Sequence, residues 1–218
     1  YIHLWPNAYS SINTAFAKKG PVHINAPFEE PLYETVETLS VEPKIISNAI
    51  LNNELENLDS FANDWNSAKK KLVLIGGLHP MTEVTSNVHH PNFITNIDTI
   101  ITPFTNEDFL EFQPDILLTF GGMIVSKRIK AFLRKYQPKQ HWHIDQLRAY
   151  DTYGCLTKHF EVTPNIFFEN FFSKTFKIES DYQKGLLKIR VLRSEKHADY
   201  LSKISFTDLK AFDIILPK

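Results

Sequence analysis

The sequence predicts an α/β protein built on an open, mostly parallel, Rossmann-like sheet with helices on both faces. Two stretches, "KLVLIGG" (71–77) and "PDILLTFGG" (114–122), are continuous apolar runs of strand length closed by glycine pairs, the pattern of strands buried on both faces. Stretches of helical spacing alternate with them, as right-handed crossover units require. Ligands of such sheets bind outside the carboxyl ends of the strands, where the corners Gly76-Gly77 and Gly121-Gly122 fall.

Taken in chain order, "YSSINTAFAKK" (9–19) is expected to end a helix, because Gly20 terminates it and Pro21 forbids continuation. "VHINAPF" (22–28) alternates like a strand end, and "EEPLYETVETLSVEP" (29–43) has the composition of a linker. From Lys44 to about Lys70, Leu51, Leu55, Leu58, Ala62 and Trp65 form one stripe of a surface helix. After the first apolar run, "DTIITPF" (98–104) is a weaker strand candidate, and "NEDFLEF" (106–112) a short helix with Phe109 and Phe112 inward. "SKRIKAFLRKY" (126–136) is a helix facing inward with Ile129, Phe132, Leu133 and Tyr136. "QHWHID" and "HFEVT" are further strands, and "NIFFENFFSKTF" (165–176) is a helix. From about Asp181 the tail is helical and charged, with Thr207 or Asp208 capping a last helix.

Composition bounds the function. With 43% hydrophobic and 22% charged residues and 17 Phe among 218, the chain is globular. A net charge of -1 gives no basic field for nucleic acid, and no apolar run is long enough to span a bilayer. The single Cys155 excludes an intrachain disulfide and a cysteine-based zinc site, which suits a reducing cytoplasm. The amino terminus, "YIHLWPNAYS", has no initiator Met and no signal-peptide pattern, and is expected to be a chain entered midway.

The chemistry-bearing stretch is "GGMIVSKR" (121–128). It fails as a phosphate loop, because Ser126 replaces the second glycine and Arg128 the magnesium-binding hydroxyl. A carboxylate site asks for less: with a helix beginning near Val125, free amides, the positive dipole end and the Lys127 and Arg128 side chains share one corner. The alternative is a solvated helix face, since Lys130, Arg134 and Lys135 continue the charge. His141 and His143 share a strand face and His89 and His90 a loop, but no three ligands converge at zinc spacing, so structural histidines are expected. Cys155 beside His159 lacks an orienting base and is expected to be an ordinary thiol. Glu29-Glu30 and Glu107-Asp108 are expected to be structural.

"GPVHINAPFEEPLY" (20–33) closely resembles the end of the pyrimidine-binding domain of the MenD family, the 2-succinyl-5-enolpyruvyl-6-hydroxy-3-cyclohexene-1-carboxylate synthases. "TSNVHHPNFITNIDTII", "FQPDILLTFGGMIVSKRIKAFLR" and "HWHID" resemble successive parts of that family's central domain, and "KHADYLSKISFTDLKAFDIIL" its linker to the last domain. The resemblance implies residues 1–33 as the tail of the pyrimidine-binding domain, 34–70 as linker and surface helix, 71–178 as the central α/β domain and 179–218 as a helical linker. It implies a homo-oligomeric cytoplasmic transferase of menaquinone biosynthesis that uses thiamine diphosphate and Mg2+ to decarboxylate 2-oxoglutarate and add the carbanion to isochorismate. It gives Lys127 and Arg128 the role of holding a substrate carboxylate. The family's catalytic glutamate and G-D-G motif have no counterpart here, so this chain alone is expected to bind neither cofactor nor metal and to turn nothing over. The family's helix and strand after the "IGG" corner have no counterpart, so either residues are missing at about Pro80-Met81 or this copy is shortened and its sheet has lost a strand. The other function class left open is a non-catalytic α/β module for a nucleotide or another anionic small molecule.

Overall fold

The computed structural model describes residues 4–18, 20–25, 38, 55–76, 90–95 and 97–216. The chain divides into two compact units, Tyr1–Glu54 and Leu55–Lys218. In the first, helix α1 spans Leu4–Lys18, and the Gly20 amide donates to the Ala15 carbonyl at 3.2 Å as the helix ends. Residues 21–25 carry no strand, contrary to the alternation of "VHINAPF": no strand among the described residues pairs with them, and Val22 and Ile24 are exposed. Residues 26–28 of that stretch lie outside the described residues.

The second unit contains strands β1 (Lys71–Ile75), β2 (Ile116–Phe120), β3 (Gln140–Ile144) and β4 (Lys158–Phe160), all parallel and in the order β1-β2-β3-β4. Helices α2 (Asp59–Ser67), α3 (Ile97–Ile101), α4 (Asn106–Glu111), α5 (Lys127–Lys135), α6 (Pro164–Phe172), α7 (Asp181–Lys203) and α8 (Asp208–Ile215) complete the described part. A strand order that advances one step at a time sends every right-handed crossover over the same face. Accordingly α3, α4 and α5 pack on one side, around Leu117 of β2, joined there by Leu186 of α7. The other side, presenting Ile116, Leu118, Trp142, Ile144 and Phe160, is covered by α2 and α6, which stand outside those crossovers. The sheet thus has helices on both faces, and among the described residues it is wholly parallel.

Two local expectations change. "DTIITPF" forms no strand; Ile97, Ile100, Ile101 and Phe104 recur at helical spacing and pack together beside Leu117, while the amide and hydroxyl of Thr102 both donate to the Asp98 carbonyl. The helix over residues 44–70 is shorter in its described part. The Asn57 carboxamide accepts from the Asp59 amide at 2.8 Å and starts α2 only there; residues 44–54 lie outside the described residues. Side-chain caps set other starts: Thr105 and Asp108 form a reciprocal capping box on α4, Thr163 caps α6 before Pro164, and Thr207 caps α8.

Candidate functional site

The carboxyl ends of β1 and β2 meet at the two glycine corners. The Gly76 amide donates to the Phe120 carbonyl at 2.9 Å, and a Cβ on Gly76 would lie 1.8 Å from the Gly122 carbonyl oxygen, so only glycine allows this backbone approach. Gly121 has φ of 80°, the left-handed turn that takes the chain off β2 toward α5. The pair therefore serves contact between backbones at this point.

Helix α5 starts two residues later than the sequence suggests. Ser126 is its N-cap, its Oγ accepting from the Ile129 amide at 3.1 Å, so Lys127 and Arg128 are the first two helical residues. The Ser126 hydroxyl donates in turn to a carboxylate oxygen of Asp98 on α3. Both cationic side chains are exposed, and neither forms an ion pair or hydrogen bond with another described residue. Farther along the helix Arg134 donates to the Thr152 carbonyl at 2.8 Å and Lys135 to the Asn106 side chain at 3.3 Å, while Lys130, like the pair, has no side-chain partner among the described residues. The two residues singled out from sequence are free cations at the helix start, where the helix dipole adds positive potential. A groove of about 1070 Å3 reaches the same corner through Ile124, Val125, Ser126 and Asp98, while Lys127 and Arg128 stand outside its wall.

On the α5 side of the sheet lies a polar row that sequence reasoning caught only in part. Thr119 Oγ1 lies 2.8 Å from His141 Nε2 and 2.8 Å from His143 Nδ1, bridging the two imidazoles. One hydroxyl proton can serve only one of them, so the other ring must donate to the hydroxyl. His141 is 1% exposed, and its Nδ1 has no hydrogen-bond partner among the described residues. Burial first, then the neighbouring His143, lowers its pKa from 6.5 to about 4; burial likewise lowers that of His143. The signal was available in "ILLTF", where a lone threonine interrupts an otherwise apolar strand. His159 engages the Asp145 carbonyl at 2.7 Å, and among the described residues no three His, Cys, Asp or Glu groups could hold a metal. Burial raises the Cys155 thiol to about 11, that of an unreactive group. Glu107 and Asp108 belong to the first turn of α4, and Asp108 completes its capping box. His89, Glu29 and Glu30 lie outside the described residues.

A family model described as the middle domain of thiamine pyrophosphate matches residues 75–170. A Flavobacterium psychrophilum protein named 2-succinyl-5-enolpyruvyl-6-hydroxy-3-cyclohexene-1-carboxylate synthase is 61% identical over 95% of this chain. The chain belongs to that synthase family. A namesake from Flavobacterium johnsoniae is 52% identical over 94% of the chain, and one from Christiangramia forsetii 44% identical over 95%. The chain spans 41% of the length of each of these three synthases. Among the described residues, no helix is long and apolar enough to cross a membrane.

Proposed function

We propose that the chain is the substrate-facing central part of a thiamine-diphosphate-dependent synthase, in which Lys127 and Arg128 hold a carboxylate of the acceptor acid. The intact protein would decarboxylate 2-oxoglutarate and add the resulting carbanion to isochorismate in menaquinone biosynthesis. Residues 71–178 are its central α/β domain, 1–33 the tail of the pyrimidine-binding domain, 34–70 the connection between them, and 179–218 the helical linker onward. Thiamine diphosphate supplies the electron sink for the carbanion when bound. Cofactor, metal and chemistry are assigned to the intact homo-oligomer, because the catalytic glutamate and G-D-G motif of the family have no counterpart in this sequence, with this chain inactive alone and the whole enzyme cytoplasmic.

The observation that carries the site is the pair of unpaired cations on the first turn of α5, at the strand-end corner where open parallel sheets take ligands. A guanidinium offers a carboxylate two parallel donors and an ammonium adds a point charge, which orients the acid without proton transfer. Thermal-shift measurements separate this from a nucleotide module. Isochorismate or a related menaquinone-pathway acid, at about a hundred times its dissociation constant, stabilises by about 2.7 kcal/mol, while NAD and ADP leave the melting temperature unchanged. Stabilisation by NAD or ADP alone would assign the domain to the nucleotide class.

A further inference from the structure

Lys127 and Arg128 have no ion-pair partner among the described residues, so salt bridges do not fix where the first turn of α5 points. Ser126 sets that turn. Its hydroxyl oxygen accepts from the Ile129 amide at 3.1 Å, and its carbonyl accepts from the Lys130 amide at 3.4 Å. A serine side chain rotates among staggered positions, and the cap needs one of them.

That position is held from α3. The Ser126 hydroxyl donates to a carboxylate oxygen of Asp98, which leaves lone pairs of the same hydroxyl oxygen for the Ile129 amide. Both ends of this path are anchored in the core on the α5 side of the sheet. Thr102 ties the Asp98 carbonyl through its amide at 3.0 Å and through its hydroxyl, and the nearby Ile100 and Ile101 are buried. Ile129, which carries the capped amide, is 1% exposed in the same cluster. The placement of α3 is thus passed from Asp98 through Ser126 to the first turn of α5.

Charge alone argues the other way. Asp98 forms no ion pair with Lys127 or Arg128, and a negative group beside an anion site weakens the hold on an acid. The charge of Asp98 and its grip on Ser126 therefore push the affinity for a carboxylate in opposite directions, which gives the two roles opposite signs in an experiment.

We propose that Asp98 is a positioning residue for the acceptor acid: by holding the Ser126 hydroxyl it fixes the first turn of α5 and aims Lys127 and Arg128 as a pair. This rests on the reading that the pair holds a carboxylate. Variants of the full-length synthase test it. Asp98→Ala removes the acceptor and should raise the KM for isochorismate at least about threefold, with kcat and the KM for 2-oxoglutarate within about twofold of the parent. Asp98→Asn keeps an acceptor oxygen for Ser126 and should return the isochorismate KM to within about twofold of the parent. Added to Lys127→Ala with Arg128→Ala, the Asp98→Ala change should raise that KM no further, because it acts through the pair. Amide exchange at Ile129 should quicken in Asp98→Ala and not in Asp98→Asn. An isochorismate KM left unchanged or lowered by Asp98→Ala, where loss of the pair raises it, would overturn the proposal and leave the role of the pair standing. A KM raised equally by Asp98→Asn, or equal losses for both substrates, would overturn it as well. A KM that loss of the pair does not move would sink the carboxylate reading and this proposal with it, and Ile129 exchange would then report only whether Asp98 sets the helix start.

Discussion

Strands β2 and β3 present two different surfaces on alternate residues. Toward α2 and α6 they offer Ile116, Leu118, Trp142 and Ile144, all at most 3% exposed; toward α3, α4 and α5 they offer Leu117, Thr119, His141 and His143. The first surface closes by ring contacts: Trp142 meets Phe61 edge-on at 5.3 Å and packs against Trp65, Phe160 and Phe171 at 6.0 to 6.3 Å. The second must satisfy polar groups inside a core, which Thr119 does for two histidines at once while His141 Nδ1 has no partner among the described residues. The difference is that β2 and β3 bring only apolar side chains to one face. To the other, which also carries α5 and its cationic start, they bring buried imidazoles with lowered pKa, so stability there is expected to depend on pH.

The largest effect that sharpens this contrast is on the aromatic face. Trp142→Ala removes the ring that four aromatic neighbours share, and chemical denaturation should show a loss of roughly 3–5 kcal/mol with little change in its pH dependence. The opposite face should show the reverse. Because the buried His141 imidazole has its pKa lowered to about 4, the unfolded chain takes up the proton first as pH falls. Stability is whole above about pH 6.5 and declines by about 3 kcal/mol toward pH 4, with His143 adding in the same direction. In His141→Gln most of that slope should vanish, and an unchanged slope would place the titration elsewhere. Smaller again is Ser126→Ala, which removes the α5 cap and should cost about 1 kcal/mol, with the loss visible as faster amide exchange at Ile129.

Much of this layout can be read from residue pattern. The apolar runs closed by glycine pairs mark β1 and β2 as strands, although only β2 is buried on both faces while Val73 of β1 is exposed, and Ile129, Phe132 and Leu133 mark the buried stripe of α5. Where local pattern misled, tertiary contact decided. "DTIITPF" has β-branched residues suited to a strand, but burial of Ile100 and Ile101 against the α5 face selects a helical turn. At the site, Lys127 and Arg128 stand out because a basic pair follows a strand-glycine corner. Asp98 could not be found that way: it lies 28 residues from Ser126 in sequence and is joined to it only by folding. The contact between Gly76 and Gly122 is hidden for the same reason, as a glycine pair announces a turn but not which backbone it will touch.

The decisive measurement is steady-state kinetics on the full-length enzyme carrying Lys127→Ala together with Arg128→Ala. Loss of charge-assisted bonds of about 1.5 kcal/mol or more each should raise the KM for isochorismate at least about tenfold, with that for 2-oxoglutarate within about twofold of the parent enzyme. An isochorismate KM that does not move would contradict the account and return the pair to an ordinary solvated helix end.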